Sequence, residues 1–180
     1  MSKFGIIYRT NIKLAMRIKT KTEQPVTAAV TLDEKDYAIL RLLEQNAKLT
    51  VREIAASIHL SPTPVHERIK RMEASGVIKQ YATLLDHRKV QKGIMVLCYI
   101  SLKEHNRKIA KVFIDAVTGF TEVLECYNIS GEFDFMLKIV AENMETYHDF
   151  YLHKLSMIKG ISHTQSIFVM GILKDTHQLL

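Results

Sequence analysis

Polar and basic side chains recur in residues 60–78 at a spacing that suits contact with nucleic acid. Thr63, His66 and Lys70 are three to four positions apart, which places them on one face of a helix. Ser61 and Pro62 come just before them, and these residue types are typical of a helix N-cap and first helical position. A short helix with a basic outer face is what reading of the DNA major groove requires.

The opposite face of the same helix is apolar. Val65, Ile69 and Met72 form one helical stripe, and Gly76 follows at the point where the helix should end. A stripe of this kind packs against a core, and a glycine favours the left-handed conformation that ends many helices. The pattern predicts a helix over residues 62–75 with one buried side and one side open to a partner.

Two further helices are predicted before this one. Thr50 suits the cap of a short helix over 51–57, and residues 32–45 carry apolar side chains at roughly helical spacing after an acidic start. Acidic residues suit the positive end of a helix. The link at residues 59–61 is too short for a strand, so residues 32–75 read as three helices, of which the last two form a helix-turn-helix.

Within this motif the residue types suggest two kinds of DNA contact. Side chains near the start of the recognition helix usually meet base edges, whereas basic residues one turn later hold phosphates. The predicted DNA-binding residues are Arg52, Ser61, Thr63, Pro64, His66, Glu67, Lys70 and Arg71.

Three of the charged residues also have a simpler interpretation. Glu67 suits a cytosine amino group but could equally pair with Arg71, four residues on. Arg68 flanks the buried stripe, and a salt bridge within the domain explains it as well as a DNA contact does. Arg52 fits a phosphate contact or a solvated charge.

Composition and charge restrict the function further. The chain has 180 residues, 47% of them hydrophobic, and a formal net charge of +6. Residues 1–30 hold six basic and one acidic residue, residues 31–92 hold eleven and eight, and residues 93–180 hold eight and ten. The basic excess beside the helix-turn-helix suits phosphate contact, and the acidic second half indicates another task.

The sequence lacks the marks of membrane, secreted or metal proteins. It has no run of 18 apolar residues and no secretory signal, so we expect a cytoplasmic protein. Cys98 and Cys126 stand in apolar runs, which predicts buried reduced thiols. His148 and His153 are five residues apart rather than the four of a helical zinc pair. We therefore expect no catalytic residues, no metal, no cofactor and no enzyme.

The second half alternates predicted strands and helices. Strands are predicted over 94–102, 122–130, 133–141 and 164–173, with helices from Asn106 and from Asn143. The order β-α-β-β-α-β is the ferredoxin-like split unit. We expect both helices on one face of a four-stranded sheet. The other face, lined by Leu124, Cys126, Met136 and either Phe168 or Val169, would need a second subunit to cover it.

The predicted organisation therefore has four parts. Residues 1–30 form a basic extension that we expect to be poorly ordered, although a basic arm on the DNA backbone or an upstream start codon would also explain it. Residues 31–78 form the helix-turn-helix domain, residues 79–93 a linker with a short strand or packed segment, and residues 94–180 the ferredoxin-like domain.

Two segments together resemble the leucine-responsive regulatory protein/asparagine regulator family, the feast-famine regulators. One is residues 32–78, with Ser-Pro-Thr-Pro at the recognition helix, and the other is the turn Gly131-Glu132-Phe133-Asp134. The resemblance covers residues 32 to about 175. It implies an α+β fold, with an N-terminal winged helix-turn-helix domain followed by a ferredoxin-like βαββαβ domain that binds an effector and oligomerises.

The resemblance also implies a function. Such a protein would bind double-stranded DNA as a transcriptional regulator and would respond to a small effector of the amino-acid class. It would form homodimers and higher homo-oligomers such as octamers. The alternative is an architectural, nucleoid-type DNA-binding protein without an effector.

The implied effector site combines the turn with the last strand. A glycine lets backbone N–H groups approach a ligand carboxylate, and a carboxylate side chain can hold a ligand ammonium group. Without the resemblance, a hairpin turn with solvated charges explains the turn equally well. The predicted effector-binding residues are Gly131, Glu132, Asp134, Thr164 and Ser166.

Overall fold

The computed structural model describes residues 30–104 and 106–180. The predicted basic extension over residues 1–30 therefore lies almost wholly outside the described part. The described residues separate into two compact units, one built on residues 85–172 and the other on residues 30–84 together with Leu173–Leu180. The sequence pattern places residues 173–180 in the second domain, whereas the structure groups them with the helical unit.

Within residues 30–84, the helical unit contains three helices: α1 (Glu34–Gln45), α2 (Val51–Ser57) and α3 (Pro62–Ala74). Asp33 caps α1 and Thr50 caps α2, each in a reciprocal capping box with the residue three positions on. Ser61 occupies the N-cap position of α3, but its side chain makes no capping hydrogen bond. Pro62 explains why the helix nevertheless begins there, since its fixed φ angle suits the first helical position.

Apolar side chains from all three helices form the core of this unit. Ile39, Ile54, Val65 and Met72 are fully buried, as the helical stripes predict. Gly76 has a φ of 75°, and the N–H of Ile78 donates to the Met72 carbonyl. This left-handed turn ends α3 and returns the chain to the core.

The segment after α3 contains no strand between residues 79 and 93, so the alternative of a short strand there is wrong. The Tyr81 hydroxyl donates to Glu73 at 2.8 Å, but Leu84 and Leu85 are 66% and 69% exposed. At the other end of the chain, the backbone N–H groups of Leu179 and Leu180 donate to the Glu44 carboxylate. These two hydrogen bonds explain why the last residues pack with the helical unit.

The second unit has the predicted element order. Its elements are β1 (Ile94–Leu102), α4 (Arg107–Val117), β2 (Val123–Asn128), β3 (Phe135–Ala141), α5 (Met144–Phe150) and β4 (Ile161–Phe168). A π-helical turn, Tyr151–Leu155, continues α5. The sheet order is β2-β3-β1-β4, and every neighbouring pair is antiparallel. This is the ferredoxin-like βαββαβ arrangement.

The core of the second unit lies on one face of the sheet, which we call the helix face. Cys98, Phe113, Phe135, Leu137 and Leu155 are almost completely buried there. Asn143 caps α5, as predicted from the sequence, and Asn106 caps α4. The sheet and its two helices therefore bury one apolar layer between them, and the opposite face of the sheet stays open.

The open face carries Leu97, Tyr99, Met136, Tyr127 and Ile167, of which Ile167 is 44% exposed. Cys126, which the sequence pattern predicts for this face, lies elsewhere. A bulge between Val123 and Glu125 shifts the alternation of β2, so that Cys126 pairs with Leu137 and packs against the core.

Phe168, one of the two alternatives predicted for the open face, lies on the helix face instead. It pairs with Val96, which is buried on the helix face. Its ring meets the Tyr147 ring edge-on, with 5.4 Å between the ring centroids. The last strand also ends at Phe168 rather than at residue 173.

Candidate DNA-binding and ligand sites

The outer surface of α3 displays most of the residues predicted to contact DNA. Thr63, His66, Glu67 and Lys70 are exposed, and Pro64 is half-buried at the first turn. Arg52, on α2, is also exposed, as is Ser61 just before α3. The helix presents this side because Val65, Ile69 and Met72 bury the other one.

Arg71 has a partner that the sequence pattern does not indicate. Its Nη2 lies 2.5 Å from Oδ2 of Asp36, although 49% of the arginine side chain remains exposed. Glu67 is therefore not the residue that holds this guanidinium. Arg68 also reaches α1, with Nη1 at 2.6 Å from Asp33 and 2.8 Å from Asp36, which favours the salt-bridge interpretation of Arg68.

Asp36 is a residue of this site that local pattern reasoning misses. The acidic start of α1 suggests only a favourable interaction with the helix dipole. Asp36 is nevertheless fully buried between two arginines of α3. The backbone N–H of Asp36 and the Arg68 guanidinium lower the pKa of Asp33. Hydrogen bonds to Asp33 and Asp36 raise the pKa of Arg68.

The predicted effector turn has a buried residue at its end. Asp134 is 3% exposed, and its Oδ2 accepts a hydrogen bond from the backbone N–H of Leu102 at 2.8 Å. Its own N–H donates to the Ile100 carbonyl at 2.8 Å. The carboxylate therefore helps to hold two strands together, rather than projecting into solvent like the exposed Glu132.

Gly131 has the backbone conformation that the turn requires. Its φ is 136°, in the region that favours glycine. A Cβ placed on Gly131 would meet no heavy atom of the described residues within 4 Å. A side chain there would therefore occupy open space, at the cost of backbone strain.

Thr164 and Ser166 lie on the helix face of β4. The Thr164 hydroxyl lies 2.8 Å from the Tyr151 hydroxyl, and the Ser166 hydroxyl lies 2.6 Å from that of Tyr147. By contrast, the Phe133 ring of the turn contacts the Tyr99 ring at a tilted angle and stacks on the His163 ring. Tyr99 and His163 occupy strand positions on the open face. Within one copy of the chain, the turn therefore contacts side chains of the open face, whereas Thr164 and Ser166 lie on the helix face.

A cavity of about 620 Å³ adjoins Ser166 on the helix face. Burial raises the pKa of the Tyr147 hydroxyl to about 12, so this group stays protonated and can donate at neutral pH. Apolar side chains supply much of the wall, and Glu145 supplies a carboxylate. The lining residues are Met144, Glu145, Tyr147, His148, Tyr151, Ser166 and Phe168.

Metal clusters and membrane-spanning helices are both absent from the described residues, 30–104 and 106–180. No group of three or more His, Cys, Asp or Glu side chains there is placed to hold a metal ion. No helix in that part of the chain has the length and apolar character needed to cross a membrane.

Two family models match the chain. Residues 32–79 match a winged helix-turn-helix DNA-binding model, and residues 95–179 match the Lrp/AsnC ligand binding domain. The first match contains all three helices of the helical unit, and the second contains nearly all of the four-stranded sheet and its helices.

Named relatives and solved structures agree with these matches. The transcriptional regulator AzlB of Bacillus subtilis is 35% identical over 82% of this chain and 94% of its own length. The leucine-responsive regulatory protein of Haemophilus influenzae is 32% identical over 83% of this chain and 90% of its own.

Among solved structures, a transcriptional regulator from Neisseria meningitidis in complex with L-Met has a TM-score of 0.80 and 33% identity. It matches over 83% of this chain and 97% of that one. An AsnC family transcriptional regulator from Agrobacterium tumefaciens has a TM-score of 0.78 and 35% identity, with the same coverage. The recognition helix, the ferredoxin-like sheet and these likenesses lead to one conclusion: the chain belongs to the Lrp/AsnC family of transcriptional regulators.

Proposed function

We propose that this regulator reads duplex DNA with the outer face of α3. The observation that carries the proposal is the exposure of Thr63, His66 and Lys70 along one side of a helix whose other side is buried. Thr63, Pro64, His66 and Glu67 are assigned to base edges. DNA phosphates are assigned to Lys70, Arg71 and Arg52. The DNA backbone near the start of α3 is assigned to Ser61.

The ligand that we propose is an amino acid. It brings an ammonium group and a carboxylate, so its site needs acceptors and donors close together. The cavity beside Ser166 offers the Glu145 carboxylate as an acceptor and the hydroxyls of Tyr147 and Ser166 as donors. Met144 and Phe168 suit an apolar side chain. The L-Met complex of the Neisseria relative supports this class of ligand.

The turn at residues 131–134 would contribute to the ligand site of a second copy of the chain. In one copy this turn and the cavity lie on opposite faces of the sheet, since the Phe133 ring contacts Tyr99 on the open face while Ser166 faces α5. We propose that Gly131 and Glu132 of one copy approach the cavity of another. A site completed between copies would couple the ligand to assembly, because a ligand shifts an equilibrium only by binding one state better.

The open sheet face supports a homodimer. Leu97, Tyr99 and Ile167 occupy adjoining strands on that face, and a contiguous apolar patch of this kind marks an interaction site. We propose that a second copy covers it, and that dimers assemble further into rings such as octamers. The protein would act by binding alone, without catalysis, in the cytoplasm, where it would meet the DNA.

One experiment tests the ligand and the assembly together. The purified full-length chain is titrated with each amino acid while its mass in solution and its affinity for duplex DNA are followed. We expect at least one amino acid to change one of the two readouts at or below millimolar concentration. If none does, the architectural alternative without an effector replaces this proposal.

A further inference from the structure

A buried carboxylate joins the first helix to the recognition helix. Asp36, on α1, has no exposed surface. Its Oδ1 accepts from Arg68 at 2.8 Å and its Oδ2 accepts from Arg71 at 2.5 Å, and both arginines belong to α3. The backbone N–H of Asp33 also donates to Oδ2, at 3.0 Å.

The charges in this cluster balance. Asp33 and Asp36 carry two negative charges, and Arg68 and Arg71 carry two positive charges. A buried carboxylate is costly unless it is paired and hydrogen-bonded, and Asp36 meets both conditions. The acidic pair also lies at the N-terminus of α1, where the helix dipole favours negative charge.

The two arginines differ in how far their N–H donors remain available to a DNA partner. Arg68 is 26% exposed and bridges both carboxylates, so it is largely committed to the domain. Arg71 is 49% exposed and meets Asp36 through one nitrogen. A guanidinium has five N–H donors, and within the described residues Asp36 is the only acceptor that Arg71 contacts. Because half of the Arg71 side chain is exposed, its remaining donors are open to a partner.

We infer that Asp36 is a positioning residue for DNA binding, which holds the Arg71 guanidinium so that its outward N–H groups meet a DNA phosphate. This inference rests on the proposed DNA-binding face of α3. A guanidinium anchored on one edge presents its opposite edge in a fixed orientation, and the planar fork matches phosphate oxygens. Lys70, one residue earlier, has no such anchor among the described residues and contributes a mobile charge.

A double-mutant cycle on the full-length protein tests the positioning role. Binding of a mixed-sequence, fluorescein-labelled duplex is measured by anisotropy for the wild type, Asp36→Asn, Arg71→Ala and the double variant. Asp36→Asn keeps the size of the side chain and removes its charge. We expect it to weaken binding about fivefold in the wild-type background but less than twofold when Arg71 is already alanine.

The cycle separates positioning from general stability. A purely structural role of Asp36 would weaken binding equally in both backgrounds, and that result overturns the inference. The same cycle with Arg68→Ala serves as the matched control, because Arg68 also bonds to Asp36. We expect the cost of Asp36→Asn to persist in that background, since Arg71 is still present.

Arg71→Lys provides a second test that does not disturb Asp36. Lysine keeps the charge, so the dependence of affinity on salt should stay as in the wild type, whereas Arg71→Ala should reduce the slope by about 0.9 for each phosphate that is no longer neutralised. We expect Arg71→Lys to bind more weakly than the wild type, since its ammonium lacks the planar fork. Wild-type affinity for Arg71→Lys overturns the inference, even if Asp36→Asn fails to fold.

Lys70→Ala distinguishes the failure of this inference from the failure of the proposed DNA-binding face. If Lys70→Ala and Arg71→Ala both bind as tightly as the wild type, the proposed face is wrong and the inference falls with it. If both bind weakly but the cycle shows no coupling between Asp36 and Arg71, the face stands and only the positioning role is overturned.

Discussion

The Asp134 carboxylate accepts a hydrogen bond from the backbone N–H of Leu102, with 2.8 Å between oxygen and nitrogen. The bond connects the start of β3 to the end of β1, and Asp134 is 3% exposed. A residue that the sequence indicates as a ligand acceptor thus has a structural task in the single chain. Substitution of Asp134 should therefore affect the stability of the fold more than it affects ligand binding.

Asp134→Ala should destabilise the protein by about 1–3 kcal/mol, because it leaves a buried N–H without its acceptor. Urea unfolding followed by circular dichroism measures the change. Glu132→Ala is the matched control, since Glu132 is exposed in the same turn and its removal should cost less than about 0.5 kcal/mol. Equal stability of the two variants would contradict the structural role of Asp134.

Gly131→Val should weaken amino-acid binding by filling the open space beside the turn, while basal DNA binding stays largely intact. Because the φ of 136° strains any other residue, the variant should also lose about 1–3 kcal/mol of stability. Gly131→Ala carries the same strain with a smaller side chain, so it separates the two effects. Calorimetry with L-Met, or with whichever amino acid binds, should rank wild type, alanine and valine in falling affinity.

Tyr147→Phe and Ser166→Ala should each weaken amino-acid binding about 3- to 10-fold, through removal of one hydroxyl from the cavity. The two hydroxyls lie 2.6 Å apart, so the double variant should cost less than the two single changes together. Tyr37→Phe, at an exposed position on α1 of the helical unit, is the control and should bind as the wild type does. Unchanged affinity in both cavity variants would place the ligand elsewhere.

Lys70→Ala should weaken binding to all DNA sequences, whereas His66→Ala and Thr63→Ala should change the preference among sequences. The reason is that phosphate contacts carry no sequence information and base contacts do. Selection of binding sites from a random pool, with affinities measured at two salt concentrations, distinguishes the two behaviours. An altered sequence preference in Lys70→Ala would contradict the assignment of Lys70 to phosphate.

Cys98 and Cys126 should react slowly with iodoacetamide at pH 8 in the folded protein. Burial raises the pKa of both thiols, that of Cys126 to about 11. Since the thiolate is the nucleophile, the reactive fraction of Cys126 should be roughly a hundredfold below that of an exposed thiol. Mass spectrometry of timed samples with and without denaturant gives the rates, and equal rates under both conditions would contradict the burial.

Local signals in the sequence predict most of the fold. The apolar stripe Val65-Ile69-Met72, the capping residues Thr50 and Asn143, and the βαββαβ order all depend on neighbours within a few positions. The face occupied by Cys126 could not be predicted, because it follows from a bulge that the period-two pattern does not encode.

The candidate sites are less predictable from the sequence, since they depend on contacts between distant residues. Asp36 and Arg71 are 35 positions apart, and no periodicity relates them. Asp134 and Leu102 are 32 positions apart, so the burial of the carboxylate is equally hidden. The exposed residues of α3 are predictable because exposure follows directly from the helical stripe.

The bulge in β2 has a consequence for how this strand tolerates changes in length. Val123 and Cys126 both pack against the core although they are three positions apart, because Leu124 is the extra residue and is 55% exposed. Deletion of Leu124 would place these two core residues two positions apart, as in a regular strand, and would leave both on the helix face. A chain shortened by one residue here can therefore keep the same sheet, whereas a deletion within the regular pairing of β3 would turn every following side chain to the opposite face.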